Sequence, residues 1–201
     1  MLRRRLSLAQ PLTSRVPGLR ARLAAHPPVA DGGEESLIWA AVAVLLVPSP
    51  DAVLLIRRAD RDGDPWSGHM ALPGGRRGPT DRDLLDTAVR ETLEEVGASL
   101  ARSELLGRLD DVVPRTPVLP PIAVRPFVFA LPERPPLAAN PEVAAVRWVP
   151  LDELLRPGVY GSAHLDIRGA PREVAAYRLH GALVWGLTER ILTNLLDHLH
   201  P

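Results

Sequence analysis

The chain has 201 residues, enough for one domain with a real core, and its balance of 46% hydrophobic to 24% charged residues is that of a soluble globular protein. Its 24 basic residues, all arginine, equal its 24 acidic ones, which excludes a global electrostatic pull toward nucleic acid or an anionic membrane. Cysteine is absent, which removes disulfides, thiolate metal sites and cysteine nucleophiles together.

The all-arginine usage reads as codon bias in a GC-rich, bacterial genome, and the composition is compatible with a cytoplasmic location. No segment is a membrane span: the longest apolar run, LIWAAVAVLLV at 37–47, has 11 residues, the length of a buried strand. Residues 1–35 form a basic N-terminal extension or helix, with six arginines and no acid in the first 30. An organellar presequence is the other reading of that composition. Residues 36–201 are the main domain.

After the break at HPPVADGGEES, 37–47 and 52–58 are predicted strands, and PSPD between them predicts a hairpin. A polar stretch, ADRDGDPWSGHM, leads into ALPGG at 71–75. A helix is predicted over 82–96, with Thr80 and Asp83 as a capping box and Gly97 as the left-handed residue that ends it. Strands are predicted at 105–112, 122–131 and 143–150, with prolines 114, 117, 120 and 121 stiffening one connection. A short helix at 151–155 follows. The segment 181–199 is predicted as one long amphipathic helix, because Leu183, Leu187, Ile191 and Leu195 recur every four residues. The sum is α/β: a mixed β-sheet with helices against it.

Within RETLEEVG, Glu91, Glu94 and Glu95 stand at i, i+3 and i+4, so a helix gathers them on one side. Each close like-charged pair costs the helix roughly 0.2–0.5 kcal/mol. Leu85, Val89, Thr92, Leu93 and Val96 fall on the opposite arc, which predicts that this side packs and the glutamates face out. Arg90 lies between Asp86 and Glu94 at i−4 and i+4, placed to pair with them. A solvated acidic face would explain the glutamates alone, but not the LPGG turn ahead of them. Paired glycines let a backbone carbonyl or N–H approach a ligand closely. That carbonyl plus three carboxylates is an all-oxygen donor set suited to Mg²⁺ or Mn²⁺, with positions left for substrate phosphates.

LPGG, a loop, and a helix ending R-E-x-x-E-E-x-G resemble the signature of the Nudix hydrolases, G-x5-E-x7-R-E-U-x-E-E-x-G-U, where U is a bulky aliphatic. Gly75, Arg90, Glu91, Glu94, Glu95 and Gly97 match it. The first glutamate of the pattern falls on Asp81, with eight residues rather than seven before Arg90, and Thr92 and Ala98 occupy the aliphatic positions. The resemblance implies the Nudix α/β/α sandwich and hydrolysis of a nucleoside diphosphate linked to another moiety. It implies that Glu91, Glu94 and Glu95 hold divalent cations near the Gly74 carbonyl, with Arg90 orienting the carboxylates. Family members often add an acid from outside this motif as base or ligand. Glu142, just before a strand, is the candidate, and a surface glutamate is the alternative; Asp110 and Asp111 are weaker candidates.

The preceding segment resembles the coenzyme A pyrophosphatase branch, L-L-T-x-R-S-x3-R-x3-G-x3-F-P-G-G. Leu54, Leu55, Arg58, Gly68, Pro73, Gly74 and Gly75 match, and Ala59 is a mild substitute. Ile56, Leu72 and Asp64 depart from it, Asp64 standing where the branch has its second arginine. Arg57, Arg58, Arg61, Arg76 and Arg77 are the substitutes, and Arg57, Arg58, Arg76 and Gly75 form the expected substrate-binding set. Trp66 and Trp185 are candidates to stack on adenine, with core packing the alternative; His69 reads as structural. The resemblance points to coenzyme A or acyl-CoA first, then to ADP-ribose-type, dinucleotide or nucleotide substrates. A binding module that has lost catalysis, or a decapping-type enzyme, is the rival from another class. The intact glutamates argue against the first and the neutral charge against the second. The expected partner is a small nucleotide derivative, with no nucleic acid or membrane, and the superfamily admits a homodimer.

Overall fold

The eight residues from Ala40 to Val47 leave no polar side chain for either face of a strand, and the structure, a computed structural model, covers both faces. It describes residues 16–29, 37–48, 50–63, 66–114, 121–167 and 169–199. In β1 (Ile38–Val47), Ala41, Ala43, Leu45 and Val47 point into one core cluster, while Ala40, Val44 and Leu46 point into another across the sheet. A near-continuous apolar run is what a strand buried on both sides requires.

β1 runs parallel to β6 (Ile122–Ala130), in register from Ile38 opposite Ile122 to Leu46 opposite Ala130. Its other edge is shared. Ala40–Val42 pair with β4 (Gly74–Arg76), and Leu46–Val47 pair with β2 (Ala52–Arg58). Between the two, the Ala43 N–H donates to the Pro73 carbonyl at 2.8 Å. β2 continues past β1 to meet β3 (Met70–Ala71), and its opposite edge carries β7 (Val143–Pro150) along its length. β5 (Leu105–Arg108) closes the far side on β6. Among the described residues these seven strands make one mixed sheet.

α2 (Leu84–Val96) packs on one face. The other face carries α1 (Val16–Ala25), α3 (Leu151–Leu155), α4 (Gly186–Leu199) and a three-stranded antiparallel sheet of β8 (Tyr160–Ile167), β9 (Ala170–Leu179) and β10 (Ala182–Trp185). The α/β/α layering is as expected. Leu19 and Leu23 of α1 are buried in that second core, so residues 16–25 are integral to it; residues 1–15 lie outside the described residues.

Three sequence expectations need correction. The predicted 181–199 helix is two elements: Ala182–Trp185 pair with β9, and the helix starts only at Gly186, at φ +71°. Leu183 therefore belongs to a strand, and the leucine spacing across the junction is coincidental. The β8–β9 hairpin occupies a stretch in which no element is predicted from the sequence. Helix α2 starts two residues later than expected, capped by Asp83, whose carboxylate accepts from the Asp86 N–H at 2.8 Å; Thr80 is not the cap. Gly97 does end the helix in the left-handed conformation at φ +72°, its N–H bonded to the Leu93 carbonyl. Among the described residues no helix is long and apolar enough to cross a membrane.

Candidate active site

The site starts where β3 turns into β4. Gly74, at φ +152°, lies so close to β1 that any Cβ would collide with the Ala41 carbonyl oxygen. A Cβ on Gly75 would lie 2.5–2.7 Å from the Glu91 carboxylate. The two glycines thus bring the turn against β1 and leave room for a glutamate of α2. The Gly74 N–H donates to Glu95 Oε2 at 2.9 Å. The amide of Gly74 thus ties the turn to the glutamate helix.

α2 is rotated from its expected setting. Leu85, Ala88, Thr92 and Val96 are buried, but so is Glu95, only 3% exposed, whereas Leu93 is 52% exposed. The glutamates therefore do not all face out: Glu95 lies under the turn, Glu91 is half-buried and Glu94 is exposed. Burial, the largest influence on both, pushes the Glu95 carboxyl up to about 7 and raises that of Glu91. The Gly74 N–H and the Arg58 charge oppose the shift at Glu95, while Glu142 adds to the rise at both.

Arg90 is the hub. Its guanidinium donates to both oxygens of Asp81, Nε to Oδ1 at 2.9 Å and Nη2 to Oδ2 at 3.0 Å. Nη1 reaches Glu91 at 2.8 Å and Glu94 at 3.0 Å, and Nη2 also reaches the Arg76 carbonyl at 3.2 Å. The pairing with Glu94 is as predicted. That with Asp86 is not: Asp86 bonds Arg82 and Arg102 instead. Asp81 is buried, accepts further hydrogen bonds from the Gly78 N–H at 2.7 Å and Thr87 Oγ1 at 2.9 Å, and its carboxyl is held well below the usual range, chiefly by Arg90. Its acid orients Arg90, a role that the pattern position alone did not reveal.

Glu142 is positioned through the end of α2. The Ala138 and Asn140 N–H groups donate to the Val96 and Glu95 carbonyls, and Asn140 Oδ1 accepts from the Glu142 N–H at 2.9 Å. The Glu142 carboxylate pairs with Arg61 at 2.8 Å, in an exposed ion pair. Arg57 and Arg58, grouped together from the sequence, are separated by strand alternation. Arg58 lies on the α2 face with Ile56 and is felt by Glu95; Arg57 faces the other core and borders a cavity with His69 and Trp185. Arg76 is exposed at the end of β4, and Arg77 bonds the Asp81 and Arg82 carbonyls.

The two weaker acid candidates each have partners within the fold. Asp111 is buried against Arg125 at 2.7 and 2.8 Å; Asp110 accepts from the Val29 N–H and from Asn194. The His69 ring packs on Trp185 with centroids 4.8 Å apart, and Trp66 is partly buried against the core. Asp64 and the prolines at 117 and 120 lie outside the described residues.

Among the described residues no three acid, histidine or cysteine side chains converge closely enough to hold an ion as they stand. The cause is visible: Arg90 draws Glu91 and Glu94 toward itself, while Gly74 holds Glu95. The donor set still fits a hard divalent cation, because two desolvated carboxylates side by side are what such a charge would relieve.

The NUDIX domain family matches residues 38–167, well over half of the chain. The uncharacterized Nudix hydrolase NudL of Photorhabdus laumondii is 34% identical over 157 residues, covering 78% of this chain and 82% of that one. A Schizosaccharomyces pombe protein, the uncharacterized C14C4.10c, is 45% identical over 125 residues, covering 60% of this chain and 38% of that longer relative. In fold, the chain is similar to a MutT/nudix family protein from Enterococcus faecalis, with a TM-score of 0.61 at 22% identity over 83% of this chain and 63% of that one. The NUDIX domain of Shewanella oneidensis NrtR, solved with ADP ribose, superposes with a TM-score of 0.50 at 20% identity, over 67% of this chain and 85% of that one. With the glycine turn, the glutamate helix and the split strand edge in one place, these matches settle the family: the chain belongs to the Nudix domain family and is a Nudix pyrophosphohydrolase.

Proposed function

We propose that this enzyme hydrolyses the diphosphate bond of coenzyme A or an acyl-CoA, giving 4′-phosphopantetheine (or its acyl form) and adenosine 3′,5′-bisphosphate. The observation that carries the chemistry is the Gly74–Gly75 turn lying against α2, with the Gly74 N–H on Glu95 Oε2 at 2.9 Å and the Glu91 carboxylate against Gly75. The branch-like segment from Leu54 to Gly75 supports the substrate.

Glu91, Glu94 and Glu95 would hold Mg²⁺ or Mn²⁺, which when bound offsets diphosphate charge and acidifies water. Arg90, fixed by Asp81, keeps Glu91 and Glu94 in place between turnovers. Arg58 and Arg76 supply positive charge for the diphosphate, and the glycine turn lets it approach the backbone. Glu142 takes the proton of the attacking water as its oxygen bonds to phosphorus and the bridging P–O bond breaks. For that, Glu142 must leave Arg61, whose guanidinium is then available to a phosphate oxygen.

The test is a screen with Mg²⁺ and Mn²⁺ against coenzyme A, acyl-CoA, ADP-ribose, NADH, diadenosine polyphosphates and oxidised nucleotides, with products resolved by chromatography. Adenosine 3′,5′-bisphosphate and 4′-phosphopantetheine are the expected products from coenzyme A, and their absence refutes the substrate assignment.

A further inference from the structure

On the face of the main sheet away from α2 lies a cavity of about 410 Å³, bordered by Arg57, His69, Met70, Leu165, Asp166 and Trp185. It forms where the tip of the β8–β9 hairpin and strand β10 come up against β3. Three chemistries converge on it. Arg57 is exposed and has no ion pair or hydrogen bond from its side chain among the described residues, unlike Arg61, Arg77, Arg82 and Arg90 around the turn. The Trp185 and His69 rings, tilted 58° to each other, give an aromatic wall. The Asp166 carboxylate, with Oδ1 accepting from the Gly169 N–H at 2.7 Å, offers an acceptor.

We propose that this cavity receives the adenosine 3′-phosphate end of the substrate, with Arg57 on the 3′-phosphate and the Trp185–His69 wall against the adenine. The assignment rests on the coenzyme A reading above and names which half of that molecule goes where. A guanidinium with no partner among the described residues matches a phosphate monoester, and a ring wall beside a carboxylate matches a purine with an exocyclic amine. The pantetheine arm carries neither ring nor phosphate monoester and has no group to match Arg57 or the ring wall. An adenosine end lacking the second phosphate has no group to match Arg57. Arg57 and Arg58 are consecutive on β2, so the cavity and the carboxylate cluster lie on the two faces of one strand. The sheet ends beside them at β3, two residues long, and a bound substrate rounds that edge.

The test measures binding to the metal-free protein by calorimetry, comparing adenosine 3′,5′-bisphosphate with AMP. The bisphosphate is expected to bind roughly tenfold more tightly, the value of one charge-assisted phosphate contact. Arg57→Gln should abolish that preference, and Trp185→Leu should weaken both ligands. In hydrolysis, Arg57→Gln should raise KM for coenzyme A relative to 3′-dephospho-coenzyme A. An unchanged preference in Arg57→Gln, or no binding of the bisphosphate by the parent, overturns the assignment. If the preference depends on Arg57 yet coenzyme A is not hydrolysed, the cavity assignment stands and the substrate reading falls. If coenzyme A is hydrolysed with the same KM by parent and Arg57→Gln, the reverse holds.

Discussion

Asp81 and Arg90 are joined by two parallel hydrogen bonds of 2.9 and 3.0 Å, with the acid buried and the guanidinium carrying on to Glu91 and Glu94. Breaking the pair leaves Arg90 half-buried without its main anchor. Asp81→Asn should therefore cost about 2–4 kcal/mol of stability, read by urea unfolding at neutral pH. Because Asp81 titrates lower in the folded chain than unfolded, its contribution is complete above its ordinary value of 3.8 and is lost as pH falls below it. The parent should lose stability on acidification below about pH 4, and Asp81→Asn should show a shallower decline.

Glu95 works in the opposite sense. Its carboxyl, raised from 4.5 to about 7 by burial, disfavours the metal-free fold as pH rises through that interval. The gap corresponds to on the order of 3 kcal/mol, complete only above pH 7. Glu95→Gln should raise the metal-free melting temperature at pH 8 while abolishing hydrolysis and most of the thermal shift produced by Mg²⁺. A metal-free Gln variant less stable than the parent at that pH would contradict the burial argument.

The two glycines of the turn should respond differently. At Gly74 a Cβ collides with the Ala41 and Val42 backbone of the central strand β1, which is held by neighbours on both edges and cannot give way. Gly74→Ala should cost more than about 3 kcal/mol, or prevent folding outright. At Gly75 the obstacle is the far end of Glu91. Gly75→Ala should fold, with a melting temperature near the parent's, but displace that carboxylate and lower kcat. Circular dichroism with steady-state rates separates the two.

Glu142→Gln should lower kcat by about 10²–10⁴-fold if the carboxylate is the base, as steady-state rates would show. Arg61→Ala breaks the same ion pair from its other end. Both side chains are about half exposed, so its cost in stability should stay below about 1 kcal/mol. Its effect should appear instead in KM.

The turn and the glutamate helix were legible because LPGG and the RETLEEVG spacing depend on local backbone geometry. The β1–β2 hairpin was legible because PSPD interrupts two apolar runs. Glu95 was misplaced because a glutamate counts as polar when a helix is divided into faces. The signal that it is buried was nonetheless present: Leu85, Ala88, Thr92 and Glu95 continue one stripe at spacings of three, four and three. Strand β9 escaped because much of its surface is solvent-exposed and its burial does not alternate, whereas β8 does carry the signal, with Ala163, Leu165 and Ile167 alternating with the more exposed Ser162, His164 and Asp166. Their pairing also hid β10, whose four residues look helical without their partner. The role of Asp81 depends on a contact across nine residues of loop and helix, which no local pattern encodes.

Strand β2 places consecutive arginines on opposite faces, Arg58 toward the acidic helix and Arg57 toward the cavity. Reaction and selection can then drift separately. A lineage, or a directed-evolution library, is free to vary Arg57, Leu165, Asp166 and Trp185 without disturbing the residues that break the bond. A single-residue insertion in β2 would not have that freedom, since it would exchange the two faces and disable both at once.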